Sequence, residues 1–143
     1  MRTTFYRFAA GLAALVLSPL AWAGHADTIM AALMDARANL VAMIDSTDKA
    51  TQDELHAKVA KASKAVDDAL VTTLADPATT PDQAAKYKEF KATWEEFKNT
   101  RETEIVPAVR AGKTAEAKAI AGGIQAERMK KMKGLLTELG AKP

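Results

Sequence analysis

The chain contains no cysteine. That absence excludes disulfides, thiolate metal sites, thioether-attached haem, a cysteine nucleophile and a lipid anchor on cysteine. Aromatic residues are scarce, at 6% of 143 residues. The strict apolar–polar alternation of a half-buried strand is missing throughout. Charge of one sign is also missing: 20 Lys+Arg face 18 Asp+Glu, far from the concentrated basic face of a nucleic-acid binder. There is no glycine-rich phosphate loop and no nucleophile–base–orienter set, so no catalysis is expected. Only Phe8–Leu20 is apolar over any length, and it falls short of the ~20 residues a membrane-spanning helix needs.

That one run has the pattern of a cleavable leader. Arg2 and Arg7 give a positive start, and Gly11, Ser18 and Pro19 are its sole interruptions. Ala21-Trp22-Ala23 supplies the small-x-small step before a cleavage point. Residues 1–23 are therefore read as a signal peptide, and residues 24–143 as one domain exported to the periplasm. Removing the leader takes away two arginines and no acid, so 18 bases face 18 acids. The aromatics then left are Tyr87, Phe90, Trp94 and Phe97. A core of Ala, Leu, Val, Ile and Met with one aromatic stripe suits helices better than a sheet.

Period and punctuation predict four helices. The first covers about Asp27 to Asp45, with Ile29, Leu33, Ala36, Leu40 and Met43 inward and Met30, Met34, Val41 and Ile44 widening the apolar arc. So broad an arc suggests burial between two helices or against a second subunit. The second begins at Thr51, with Glu54 completing a capping box, and ends before Pro77. Leu55, Val59, Ala62, Val66, Leu70 and Leu74 face its core. Thr80-Pro81-Asp82-Gln83 opens the third. Its four aromatics, spaced 3, 4 and 3 apart, share one face. Pro107 predicts a kink or an early end, Gly112 a stop and Thr114 a cap for the fourth helix, which runs to about Leu139. Gly122-Gly123 in its middle implies either close approach of a bulky neighbour or a local kink. The expected fold is all-α: an antiparallel up-down-up-down four-helix bundle.

Charges placed on otherwise apolar faces are the candidate site. Arg101 continues the series Phe90, Trp94, Phe97; Arg128 lies near Ile124 and Gln125; Arg37 follows Leu33. A buried arginine needs an acceptor. One reading pairs them internally, Arg101 with Glu104 and Arg128 with Glu127 or Asp35. The other is a clamp for a carboxylate or similar small anion. At ~1.5 Å per residue, Arg37 and Arg128 fall at a similar height near Trp94, with Arg101 and Gln125 one or two turns beyond. Arg37, Trp94, Arg101, Gln125 and Arg128 thus form the expected ligand-binding set.

The run from Tyr87 through Trp94, Phe97, Arg101 and Glu104 to Pro107 resembles the third helix of the four-helix-bundle ligand-binding domain of methyl-accepting chemotaxis receptors and related sensor kinases. Ala111-Gly112-Lys113-Thr114, Glu116-Ala117 and Gly123 to Met129 resemble that family's turn and fourth helix. The resemblance implies a periplasmic module that binds small molecules, often as a dimer through helix one. Those receptors hold the domain between two membrane helices and carry a cytoplasmic signalling region. With a cleavable leader alone, the expectation here is a module that works with a membrane receptor or sensor kinase.

A second, weaker resemblance is to the soluble periplasmic four-helix b-type cytochrome. Met30 stands near that family's axial methionine; Gly112-Lys113, Glu116-Ala117 and Arg128 match its last helix; its axial-histidine step reads Met132. Haem b would then be held by Met30 and Met132. Met30, Met34, Met129 and Met132 are equally a candidate soft copper site, and also simply good core fillers. The Gly24-His25 terminus is a further candidate copper(II) ligand. Asp53-Glu54-Leu55-His56 offers a single Asp-x-x-His, against the paired Glu-x-x-His motifs of a di-iron bundle, which is rejected.

Overall fold

The computed structural model describes residues 20–143, with side chains from Gly24 onward. The leader assigned to 1–23 lies outside the described residues except for the backbone of 20–23. Helix α1 spans Leu20–Asp45, α2 Lys49–Ala75 and α3 Pro81–Thr100. A π-helical turn, Arg101–Ile105, leads into α4, Val106–Arg110; α5, Thr114–Gly122, and α6, Ile124–Glu138, follow. The π turn and α4 continue α3, and α5 and α6 together make the fourth column. The result is the expected antiparallel four-helix bundle, with α1 packed most extensively on α2 and α3 on α6.

Several local expectations are corrected. α1 is already helical at Leu20, where the described residues begin, ahead of the expected start near Asp27, as the alanine-rich stretch before Asp27 carries the helix through Gly24. The cap of α2 is Asp48, not Thr51: the Asp48 carboxylate accepts from the Thr51 backbone N–H at 2.8 Å and from its hydroxyl at 2.7 Å. An aspartate three residues upstream caps the N–H of Thr51 itself and starts the helix about one turn earlier. Those two hydrogen bonds hold the Asp48 carboxyl below its usual range. Thr114 is the first residue of α5 rather than its cap; Lys113 stands at the cap position without a side-chain hydrogen bond. The Thr80–Gln83 capping box forms as expected, with Pro81 at the start.

Pro107 neither ends the third helix nor breaks it outright. Proline lacks an N–H and crowds the preceding turn, and the turn before it widens so that the Val106 N–H donates five residues back, to the Arg101 carbonyl. Gly112 adopts φ +75°, the left-handed conformation of a helix stop, and its N–H donates to the Val109 carbonyl.

The core falls into two apolar clusters. One holds Ala26, Ile29, Leu33, Val66, Leu70, the four aromatics, Met132 and Leu136. The other holds Leu40, Met43, Ile44, Val59, Ile105, Val106, Val109 and Ala117. Between Phe97 and Ile105 on the third helix sits buried Arg101, and between Ala117 and Met129 on the fourth sits buried Gln125. A polar layer therefore divides the core at mid-height. Both helices that supply it are irregular there, α3 by its π turn and the fourth by the break between α5 and α6 at Gly123. Among the described residues, no helix is long and apolar enough to cross a membrane.

The two glycines at the break differ. A Cβ on Gly122 meets nothing within 4 Å, whereas one on Gly123 lies 3.0 Å from the Ala119 carbonyl oxygen. Neither touches the aromatic stripe, so the expected close approach of a bulky neighbour gives way to the local kink. Gly122→Ala should raise stability by roughly 0.5–1 kcal/mol, the ordinary helical gain of alanine. Gly123→Ala should lower it, because the strained contact is with backbone. Thermal and urea unfolding of the two variants would show shifts of opposite sign; a gain in both would contradict the kink.

Candidate functional site

Position 101 faces inward because Phe90, Trp94, Phe97 and Arg101 repeat at helical spacing. Arg101 is only 4% exposed. Its Nε donates to Glu102 Oε1 at 2.8 Å and its Nη1 to Ser63 Oγ at 2.9 Å. The guanidinium also lies 5.9 Å from the Trp94 ring centroid, within cation–π range. The partner is thus Glu102, not the expected Glu104, which is exposed. Adjacent residues of a regular helix do not face each other; here they meet where the π turn begins.

Glu102 is shared. Its other oxygen, Oε2, lies 2.9 Å from His56 Nε2, and His56 Nδ1 is 3.5 Å from Arg110 Nη2. Arg110 in turn pairs with Asp53 at 3.0 Å. Burial pushes the Glu102 carboxyl up, but the hydrogen bonds and charges of His56 and Arg101 outweigh it and hold the group below its ordinary value. Two turns below Arg101, the Trp94 indole N–H donates to Asp67 at 2.8 Å, and Lys98, one turn below, donates to both oxygens of the same carboxylate. The α2–α3 seam is therefore a string of polar pairs.

Arg128 and Gln125 occupy the other side of the layer, between α6 and α3. Gln125, 2% exposed, donates to the Phe97 carbonyl at 2.9 Å and accepts from Arg128 at 3.0 Å. Arg128 also donates to Thr100 Oγ1 at 2.7 Å and pairs with Glu96 at 3.4 Å. Its expected partners Glu127 and Asp35 are not used: Glu127 is exposed, and Asp35 lines the groove between α1 and α2. Arg37 does not join the set. Ala36 and Leu40 take the inward line of α1, and Arg37 is exposed.

The layer thus gathers Arg101, Gln125 and Arg128 with Trp94 beneath, and leaves Arg37 outside. The residues sequence reasoning missed are Ser63, Glu102, His56, Asp67 and Thr100. Asp53, His56, Ser63 and Asp67 follow helical spacing along one line of α2 beside the apolar Val59, Ala62 and Val66, a polar stripe that was there to be read. Met30, Met129 and Met132 are buried in one cluster with Phe90 and Trp94, and Met34 packs against it. Among the described residues, no three or more His, Asp or Glu side chains group to hold a metal ion.

Glu102→Gln removes the charge that neutralises Arg101 and should cost about 1 kcal/mol at neutral pH, modest because Glu102 is 43% exposed. A carboxyl whose folded pKa is depressed contributes stability above its unfolded value of 4.5, and loses it as pH falls through the lower folded value. The gap between wild type and Glu102→Gln, followed by urea denaturation against pH, should therefore close below pH 4.5. A gap that persists or grows in acid would contradict the pairing.

No curated protein and no solved structure matches the chain. The family model that does match is the four-helix-bundle sensory module for signal transduction, over residues 17–142. That span includes every helix described above and the polar layer they enclose. The chain belongs to this family of four-helix-bundle sensory modules.

Proposed function

We propose that the chain is an exported, non-catalytic sensor that binds a small anionic molecule in the polar layer and works with a membrane receptor or sensor kinase. The leader pattern of residues 1–23 supports a periplasmic location. The broad apolar arc of α1, with Val41 44% exposed, supports pairing of two copies through that helix.

One observation carries the anion reading: a buried guanidinium answered by a carboxylate that is itself half-exposed and shared with His56. Glu102 is an internal anion that a ligand carboxylate can replace, taking over the Arg101 Nε donor at 2.8 Å in a charge-assisted hydrogen bond. Arg128, Gln125 and Thr100 offer further polar groups on the opposite side of the same layer. Release of Glu102 frees the π turn, a helical irregularity often found at functional sites, and so links occupancy to the course of the third helix.

Calorimetry against a panel of small mono- and dicarboxylates tests this. Arg101→Lys keeps the charge and loses the planar fork, so affinity should fall about tenfold, and Arg128→Ala should also weaken binding. Glu102→Gln, which weakens the internal competitor, should bind more tightly. Wild-type affinity in all three variants would remove the site.

A second reading rests on the methionines. Met30, Met34, Met129 and Met132 supply thioethers from α1 and α6 in one buried cluster, a donor set suited to copper(I). Titration with silver(I) should show a site that Met30→Leu with Met132→Leu abolishes; unchanged affinity would end this reading.

A further inference from the structure

At the end of the bundle formed by the α1–α2 loop and the α4–α5 turn there is a cavity of about 340 Å³. It lies at the lower edge of the range of about 300–1,000 Å³ typical of small-molecule sites. Its polar lining comes from Ser46, Thr47, Lys49, Gln52, Arg110 and Thr114. A smaller cavity of about 110 Å³ shares Lys49, Gln52 and Arg110 with it and adds Asp53.

The lining is rich in donors. Lys49 has no carboxylate within ion-pair distance among the described residues, and Asp53, which lines the smaller cavity with it, is engaged with Arg110. Asp48 is committed to capping α2. Gln52, 6% exposed, is fixed by its donation to the Ser46 carbonyl at 2.7 Å, which holds the loop wall in place. On the opposite wall α5 begins at Thr114 with no side-chain cap, so its first N–H groups add to the positive lining. Arg110 reaches the cavity while sharing its guanidinium between Asp53 and His56.

We infer that this cavity is a binding site for a small molecule bearing a carboxylate or phosphate group, separate from the polar layer and independent of the proposal made for it. Lys49 and Arg110 clamp the anion, and the hydroxyls of Ser46, Thr47 and Thr114 complete its hydrogen bonds. Asp53, 63% exposed, is the internal competitor that the ligand displaces from Arg110.

The test titrates the full chain with succinate and, separately, inorganic phosphate, followed by amide chemical shifts and calorimetry. Saturable shifts are expected at Thr47, Lys49, Arg110, Gly112 and Thr114. Lys49→Ala, an exposed and unpaired position that leaves the fold intact, should weaken binding about tenfold or more. Asp53→Asn should tighten it several-fold. A response to succinate alone assigns the carboxylate, and one to phosphate alone the phosphate; either supports the site. No saturable response to either anion at millimolar concentration overturns it, as does binding that Lys49→Ala leaves unchanged. Shifts confined to Ser63, Arg101 and Gln125 would report the polar layer, and would overturn this inference while leaving that proposal standing.

Discussion

A guanidinium held at 4% exposure in the middle of a helical bundle is the constraint around which this structure is arranged. Burying an unpaired charge costs several kcal/mol, so every neighbour of Arg101 is a compensation. Ser63 takes one donor, Glu102 another, and the Trp94 face lies alongside. Two consequences follow. The apolar core is interrupted, because Leu or Ile at this height would leave the arginine without acceptors. The α2–α3 seam becomes a run of ion pairs and hydrogen bonds, from Asp53–Arg110 through His56–Glu102 to Asp67–Trp94 and Lys98.

The irregular backbone belongs to the same layer. Pro107 cannot accept the regular helical arrangement of the turn before it, and the resulting π turn begins at Arg101 and carries Glu102. In the fourth column the break at Gly123 sits two residues before Gln125, which is tied to the Phe97 carbonyl. Two neighbouring columns thus depart from regular α geometry where the polar groups meet. The sensor function proposed above would draw on such placement. Packed clusters lie above and below, and the layer between them holds the Glu102 carboxylate, shared by Arg101 and His56.

Much of this was legible in the sequence. The 3–4 spacing of Ile29, Leu33, Ala36, Leu40 and Met43 and of Leu55, Val59, Ala62, Val66, Leu70 and Leu74 set which faces turn inward: nine of the eleven are buried, and Leu55 and Leu74 are half-buried. The aromatic series leading to Arg101 indicated an inward charge. What the sequence left open is pairing. Glu104 and Glu102 are both near Arg101 along the chain, and the π turn and His56 on another helix select the second. Arg37 misled because its spacing from Leu33 fits a core line, while Ala36 and Leu40 define that line one position away. The Gly122-Gly123 pair left a tight helix contact and a local kink both open, and the close Ala119 carbonyl oxygen at Gly123 favours the kink.

On the proposed function, Arg101 and Glu102 form an exchangeable internal ion pair that a ligand anion opens. The most direct measurement is the NMR signal of the Arg101 side-chain Nε–H, followed during titration with a bound carboxylate ligand, alongside the Glu102 side-chain carboxyl carbon. Both signals should move together and saturate at the same ligand concentration, as the guanidinium changes acceptor and Glu102 is released. A ligand that saturates the protein while both signals stay fixed would contradict it.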